Sequence, residues 1–170
     1  MADLDDQTTT RTPERVVELA ANLDDVTGEL VGDAIDRLMQ AGALDAWATP
    51  ITMKKGRPGV MLCALVREED RAALAHRMLA LTGSFGVRYR AWDRLVLERA
   101  WHDRPTRLGE ISLKAGSLDG RVITVKPEFD AVASLTEQAG VSAAEAQRAA
   151  IAAADALLAE LRATEEGGAL

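Results

Sequence analysis

The sequence has one cysteine, few aromatic residues and no long apolar run. Cys63 is the only cysteine in the 170-residue chain, which excludes an internal disulfide and favours a reducing, cytoplasmic location. Aromatic residues make up 4% of the chain, so the core must be built from Ala, Leu, Val and Ile. No apolar run approaches the roughly 20 residues of a membrane-spanning helix, and residues 1–13 lack the pattern of a secretory signal. We therefore expect a cytoplasmic protein that does not enter a membrane.

Motifs for soft-metal binding and for nucleophilic catalysis are also absent. The two histidines are His76, expected on a helix surface, and His102, expected in a loop, and no CxxC, HxH or HExxH arrangement occurs. GxSxG and GxGxxG motifs are missing as well. The formal net charge of −7 at pH 7 argues against a general nucleic-acid binder or an anionic-membrane binder. No motif identifies a catalytic residue.

The spacing of apolar residues predicts an α+β fold whose first half is ferredoxin-like. Alternation indicates strands, and apolar residues at intervals of three and four indicate helices. The predicted elements are strands at residues 15–23, 44–53, 60–66 and 87–92, and helices at 30–39 and 69–82. The order β-α-β-β-α-β is that of the split ferredoxin-like unit.

The second half is predicted to extend this unit with antiparallel strands and two helices. We place strands at residues 95–101, 107–114 and 121–125. Pro127 is expected at the first position of a helix whose buried face includes Phe129. Ser142 and Glu145 match a capping box that opens an alanine-rich last helix. Residues 14–163 are expected to form one domain between a disordered lead, 1–13, and a frayed tail, 164–170.

Oxygen-bearing side chains cluster between the first strand and the first helix, in the segment Asn22–Glu29. Asp24, Asp25 or Thr27 could cap the helix. Capping needs one side chain, however, and this segment supplies several. Carboxylate and amide oxygens suit a hard divalent ion such as Mg²⁺ or Mn²⁺.

Two further segments carry cations and glycines. Lys54, Lys55, Gly56 and Arg57 occupy the tip between two predicted strands, which is either a solvated turn or a cradle for a phosphate chain. In the segment Thr82–Arg88, after the second helix, a helix stop explains Gly83, but it does not explain Ser84 and Arg88. In a split β-α-β-β-α-β sheet these segments can meet at one end. We therefore hypothesise that Arg88 faces the same ligand as the lysines.

These segments together resemble a known family. They appear in the order Asn22–Glu29, Pro50–Gly59, Gly86–Arg88 and Lys126–Phe129. This series resembles the C-terminal domain of the LarC family of nickel-insertion proteins, which complete the nickel-pincer nucleotide cofactor. The likeness covers roughly residues 16–150, and the run Met53–Gly59 is its most specific part.

The resemblance implies CTP-dependent insertion of nickel into pyridinium-3,5-bisthiocarboxylic acid mononucleotide, a lyase-class cyclometallase reaction. In the family CTP is hydrolysed, and its complex with Mg²⁺ or Mn²⁺ is associated with this C-terminal domain. Family members carry a substantial N-terminal domain before this one. A separate N-terminal LarC-type domain or subunit is thus an expected partner. A homo-oligomer is also expected, since the alanine-rich last helix allows close approach of a second copy, although core packing is an alternative explanation of that helix.

The resemblance and the residue chemistry lead to one set of assigned roles. The phosphate-binding residues are predicted to be Lys54, Lys55, Gly56, Arg57, Ser84 and Arg88. The ion or its waters are assigned to Asp24, Asp25 and Glu29. Phosphate binding at such a site is mainly electrostatic, with the ion bridging phosphate oxygens.

A second hypothesis is a non-catalytic regulatory domain that binds a ligand and oligomerises through its ferredoxin-like sheet. It predicts binding without hydrolysis and without a divalent ion. RNA binding through such a sheet fits poorly, because Lys54 and Lys55 lack interleaved aromatic partners.

Overall fold

The computed structural model describes residues 14–167, which belong to two compact units that divide between Val96 and Leu97. The predicted disordered lead, 1–13, lies outside the described residues, as do residues 168–170 of the predicted frayed tail. That residues 14–163 make up one domain stays a prediction. No helix in the described part of the chain is long and apolar enough to cross a membrane.

The first unit folds as β-α-β-β-α-β. Its elements are β1 (Glu14–Leu23), α1 (Gly28–Gln40), β2 (Asp45–Thr52), β3 (Pro58–Arg67), α2 (Arg71–Thr82) and β4 (Arg88–Arg94). The strands form one antiparallel sheet in the order β2-β3-β1-β4. This order is compatible with the predicted ferredoxin-like unit.

Alternate residues of β1 supply the core of the first unit. Leu19 and Ala21 are fully buried and pack in one cluster with Leu38 of α1 and Met78 of α2. Burial of each large side chain contributes about 1.5–3 kcal/mol. Because neighbouring strand residues point to opposite faces, Glu18 and the other even-numbered residues of β1 lie on the sheet face away from this cluster.

The ends of α1 and α2 follow capping rules. Thr27 Oγ1 accepts a hydrogen bond from the Leu30 N–H at 3.4 Å, which makes Thr27 the N-cap of α1. Gly83 ends α2 with a φ of 67°, a left-handed conformation that glycine adopts without strain. Thr27 therefore fulfils the capping role that the sequence left open among three residues, and Asp24 and Asp25 are not N-caps.

The second unit contains a three-stranded sheet and two helices. Its elements are β5 (Glu98–Thr106), β6 (Gly109–Leu118), β7 (Arg121–Pro127), α3 (Phe129–Ala139) and α4 (Ala143–Gly167). The strands pair antiparallel in the order β5-β6-β7. Ala146, Ala150 and Leu157 of α4 are buried against the apolar face of this sheet and α3. The α+β class, with added antiparallel strands and two C-terminal helices, is confirmed.

Several boundaries in the second unit differ from the prediction. Pro127 ends β7 instead of opening α3, and Phe129 is 83% exposed instead of buried. The strand predicted to end at Trp101 continues to Thr106, so His102 lies in a strand and not in a loop. β5 is an edge strand, where the missing N–H of Pro105 is tolerated. At the other end, α4 extends to Gly167, beyond the predicted start of the frayed tail.

Candidate functional site

The three ligand-binding segments predicted from the sequence converge at one end of the first sheet. Leu23 at the end of β1 pairs with Val60 near the start of β3. Arg88 at the start of β4 pairs with Ala20 of β1. Antiparallel order therefore places the end of β1, the basic tip between β2 and β3 and the start of β4 beside one another. We call this end of the sheet the tip site.

An ion pair joins the basic tip to the acidic segment. Arg57 Nη1 lies 3.0 Å from Asp24 Oδ2. The Asp24 side chain is 19% exposed and that of Arg57 is 50% exposed, so solvent screens the pair only in part. The contact brings together one residue predicted to bind phosphate and one predicted to bind the ion.

Arg88 connects the third segment to the first. Its Nη1 donates to Asn22 Oδ1 at 3.0 Å, and its Nη2 lies 2.9 Å from Met61 Sδ. The guanidinium is thus oriented by β1 and β3 while the residue remains exposed. Asn22 and Met61 are functional candidates that the site prediction omitted, although strand alternation puts both on the face of Ala20.

The tip itself has a constrained backbone. The Met53 N–H donates to the Arg57 carbonyl at 2.8 Å, and between them Lys55 and Gly56 have positive φ values of 63° and 69°. Lys54 and Lys55 are exposed, and neither has an ion-pair partner within residues 14–167. The tip therefore presents two exposed ammonium groups beside the anchored Arg57.

Gly59 allows the tip to approach β1 closely. A Cβ at this position would lie 2.7 Å from the Leu23 carbonyl oxygen and 2.9 Å from Met53 Sδ. Real Cβ atoms are not found at such distances from backbone oxygen, so only glycine fits here without a shift of the chain.

The Ser84 hydroxyl takes part in the folding of its own loop. It donates to the Gly86 carbonyl at 3.1 Å, and the Gly86 N–H lies 3.4 Å from the same oxygen. The Ser84 N–H in turn donates to Thr82 Oγ1 at 3.2 Å. Contact between Ser84 and a ligand stays a prediction.

The carboxylates assigned to the ion do not form a preformed metal site. Asp25 and Glu29 are exposed on either side of the α1 N-cap, while Asp24 faces Arg57. Within residues 14–167, no three or more His, Cys, Asp or Glu side chains are grouped closely enough to hold a metal ion. Mg²⁺ is commonly held by one or two carboxylates together with phosphate oxygens. The residues present fit that mode, in which phosphate oxygens of a ligand would supply the remaining ligands.

A polar cavity of about 270 Å³ adjoins Arg88 on the same strands. Glu18 Oε2 accepts a hydrogen bond from Trp92 Nε1 at 3.1 Å, and the Arg90 guanidinium lies 5.1 Å from the Trp92 ring centroid. Arg88 and Arg90 lie two residues apart in β4, so strand alternation puts both on one face of the sheet. The role of Glu18 is visible only from the pairing of β1 with β4.

Cys63 lies in β3 and is fully buried. Burial raises the pKa of its thiol; the Glu18 carboxylate raises it further, and the Arg88 guanidinium opposes this rise. A thiol with a raised pKa stays protonated at neutral pH and is a poor nucleophile. Cys63 is therefore a core residue.

An α+β unit that gathers a basic tip, an anchored arginine and carboxylates at one sheet end is a candidate polyphosphate-binding domain. The family model described as nickel insertion protein matches residues 3–147. The chain therefore belongs to the nickel insertion protein family.

Individual relatives agree with this membership. A putative nickel insertion protein of Myxococcus xanthus is 43% identical over 133 residues, which cover 78% of this chain and 34% of that protein. The pyridinium-3,5-bisthiocarboxylic acid mononucleotide nickel insertion protein of Lactiplantibacillus plantarum is 34% identical over 154 residues, which cover 91% of this chain and 36% of that protein. The chain thus spans about a third of the length of these relatives.

Among solved structures, the chain is similar to apo LarC2, the C-terminal domain of a cyclometallase involved in the synthesis of the NPN cofactor of lactate racemase. The TM-score is 0.76 at 34% sequence identity, with 85% of this chain and 99% of that chain covered. Protein MK0293 from Methanopyrus kandleri gives a TM-score of 0.59 at 33% identity, with 85% and 88% covered.

Proposed function

We propose that the chain is the CTP- and divalent-ion-binding part of a nickel insertase. The complete enzyme would place nickel, its metal substrate, into pyridinium-3,5-bisthiocarboxylic acid mononucleotide to form the nickel-pincer nucleotide cofactor. The observation that carries the proposal is the tip site, where the Asp24–Arg57 pair fixes the basic tip against the end of β1. The names of the Lactiplantibacillus relative and of the LarC2 structure support the substrate and the pathway.

The roles in the tip site follow from charge and anchoring. Arg57 and Arg88 are held by contacts to β1 and present fixed guanidinium groups, which suit phosphate oxygens. Lys54 and Lys55 add two positive charges at the exposed tip. Gly56 and Ser84 lie in the loops beside them. The triphosphate would thus meet cations from three segments without a Walker A loop.

The divalent ion, Mg²⁺ or Mn²⁺, would lie on the acidic side of the same site. Asp24, with Asp25 and Glu29, would hold it directly or through water while the phosphates supply the other ligands. When bound, the ion neutralises phosphate charge. When the Asp24 carboxylate turns toward the ion, its ion pair with Arg57 would weaken. Ion binding by the carboxylates would thus be coupled to phosphate binding by the cations.

The activity of the whole enzyme requires more than this chain supplies. Because the chain spans about a third of its relatives, we propose that insertion, a lyase-class reaction, needs a separate N-terminal LarC-type domain or subunit. A cytoplasmic location and a homo-oligomeric state belong to the same proposal.

Calorimetric titration of the purified chain with CTP and ATP, with and without Mn²⁺, tests the proposed function. We expect CTP to bind only with Mn²⁺ and more tightly than ATP. Equal binding of CTP without the ion would overturn the proposal in favour of a regulatory ligand-binding domain. Absence of binding by either nucleotide would overturn the phosphate assignment.

A further inference from the structure

The second unit carries a separate cavity that the tip site does not use. Its volume is about 420 Å³, within the range of about 300–1,000 Å³ typical of small-molecule sites. It is lined by Lys114, Lys126, Pro127, Glu128, Phe129 and Asp130. These residues belong to β6, β7 and the start of α3, so the cavity is complete within one unit.

One side of the cavity is a fixed charge network. Lys114 Nζ lies 2.8 Å from Glu128 Oε1 and 5.3 Å from the centroid of the Trp101 ring. Trp101 also contributes, after Lys114, to the lowered pKa of Glu128. Trp101, Lys114 and Lys126 stand in register across β5, β6 and β7. The charge of Lys114 is therefore already neutralised by Glu128.

The other side of the cavity carries solvent-exposed charged groups. Lys126 and Asp130 are exposed, and neither has an ion-pair partner within residues 14–167. Phe129 is 83% exposed beside them. An exposed aromatic residue alone is ordinary. Here, however, an ammonium and a carboxylate, both without an ion-pair partner in the described part of the chain, line one cavity with an aromatic face, next to a fixed network.

We propose that this cavity binds a pyridinium mononucleotide, a flat cationic ring that carries a phosphate. The cationic ring would stack on Phe129, an attraction to the negative face of the aromatic ring, with Asp130 nearby as counter-charge. The phosphate would pair with Lys126. A simple anion fits less well, because Asp130 would repel it, and a neutral base would leave Asp130 without a partner.

This inference rests on the proposed function for the identity of the ring, because the substrate proposed for the enzyme is itself a pyridinium mononucleotide. It adds a location: the substrate cavity lies in the second unit, on residues other than those assigned to CTP. The motif Lys126–Phe129, part of the family resemblance, thereby gains a role.

Titration of the chain with nicotinamide mononucleotide, a zwitterionic pyridinium mononucleotide, tests the inference, with uridine monophosphate as the neutral-ring comparison. We expect saturable binding of the former and at least several-fold weaker binding of the latter. Lys126→Ala should weaken binding about tenfold, as for a charge-assisted hydrogen bond. Phe129→Ala should weaken it about two- to fivefold, and Phe129→Tyr should restore it.

Arg121→Ala is the matched control, because Arg121 is an exposed cation of the same strand without an ion-pair partner in the described chain. It should leave binding unchanged. Equal affinity for the two mononucleotides, or an equal loss in Lys126→Ala and Arg121→Ala, would overturn the inference.

CTP with Mn²⁺ is titrated into the same samples. Binding of CTP without nicotinamide mononucleotide would overturn the cavity assignment alone, whereas the reverse would overturn the tip site alone.

Discussion

Arg57 Nη1 and Asp24 Oδ2 lie 3.0 Å apart, which ties the tip between β2 and β3 to the end of β1. Ion pairs with an exposed partner contribute only about 0–1 kcal/mol to folding. The main effect of the pair is therefore to position the Arg57 guanidinium, and its contribution to stability is small. It also sets a carboxylate beside the cations where a phosphate-bound ion would lie.

Replacement of Asp24 should separate binding from folding. In Asp24→Asn the free energy of unfolding should change by less than about 1 kcal/mol. Affinity for CTP with Mn²⁺ should fall at least about tenfold, because the amide is a weaker ligand for a hard cation. Urea unfolding and calorimetry on the same samples measure both quantities. Unchanged affinity would remove Asp24 from the ion site.

Replacement of Gly59 should disturb the packing of the tip against β1. The Cβ of Gly59→Ala would meet the Leu23 carbonyl oxygen at 2.7 Å, so we expect a loss of about 1–3 kcal/mol in the free energy of unfolding. Gly32→Ala is the control: it lies within α1 and its Cβ meets nothing within 4 Å. That variant should gain about 0.5–1 kcal/mol from helix propensity. If both variants are equally stable in urea, the close approach at Gly59 is wrong.

The Glu128 carboxyl should titrate at a pH set by Lys114. Its pKa is lowered from an ordinary value of 4.5 by the hydrogen bond from Lys114, then by the charge of Lys114. A lowered pKa in the folded state contributes stability that is present above pH 4.5 and is lost as the pH falls through the folded pKa. Lys114→Ala should return the pKa of Glu128 toward 4.5, as followed by NMR of its carboxyl carbon. The same pKa in Lys114→Ala and in the unchanged chain would contradict the Lys114–Glu128 contact, and Arg121→Ala is the control.

The convergence at the tip site followed from topology alone. Once residues 15–23, 60–66 and 87–92 were interpreted as strands of a split β-α-β-β-α-β unit, antiparallel order required their ends to meet. The glycine stop at Gly83 likewise follows from local chemistry, since a left-handed residue at a helix end favours glycine. Local patterns and topology rules sufficed for these features.

Individual partners depended on tertiary packing and could not be predicted. Nothing in the local sequence shows that Arg57 contacts Asp24 or that Arg88 contacts Asn22 and not another acceptor. Pro127 is compatible with both a helix start and a strand end. In the structure it pairs with Leu113 of β6 and therefore belongs to the strand. Because α3 begins at Phe129, the Phe129 side chain lies outside the buried apolar face of that helix.

The central claim is that the tip site binds the triphosphate of CTP, and the dissociation constant of CTP in the presence of Mn²⁺ tests it most directly. The measurement compares Lys54→Ala/Lys55→Ala with Arg15→Ala/Arg77→Ala, which removes two exposed cations from elsewhere in the first unit. We predict that the lysine variant loses affinity at least about tenfold and that the arginine variant keeps the affinity of the unchanged chain. Equal affinities in the two variants would contradict the account.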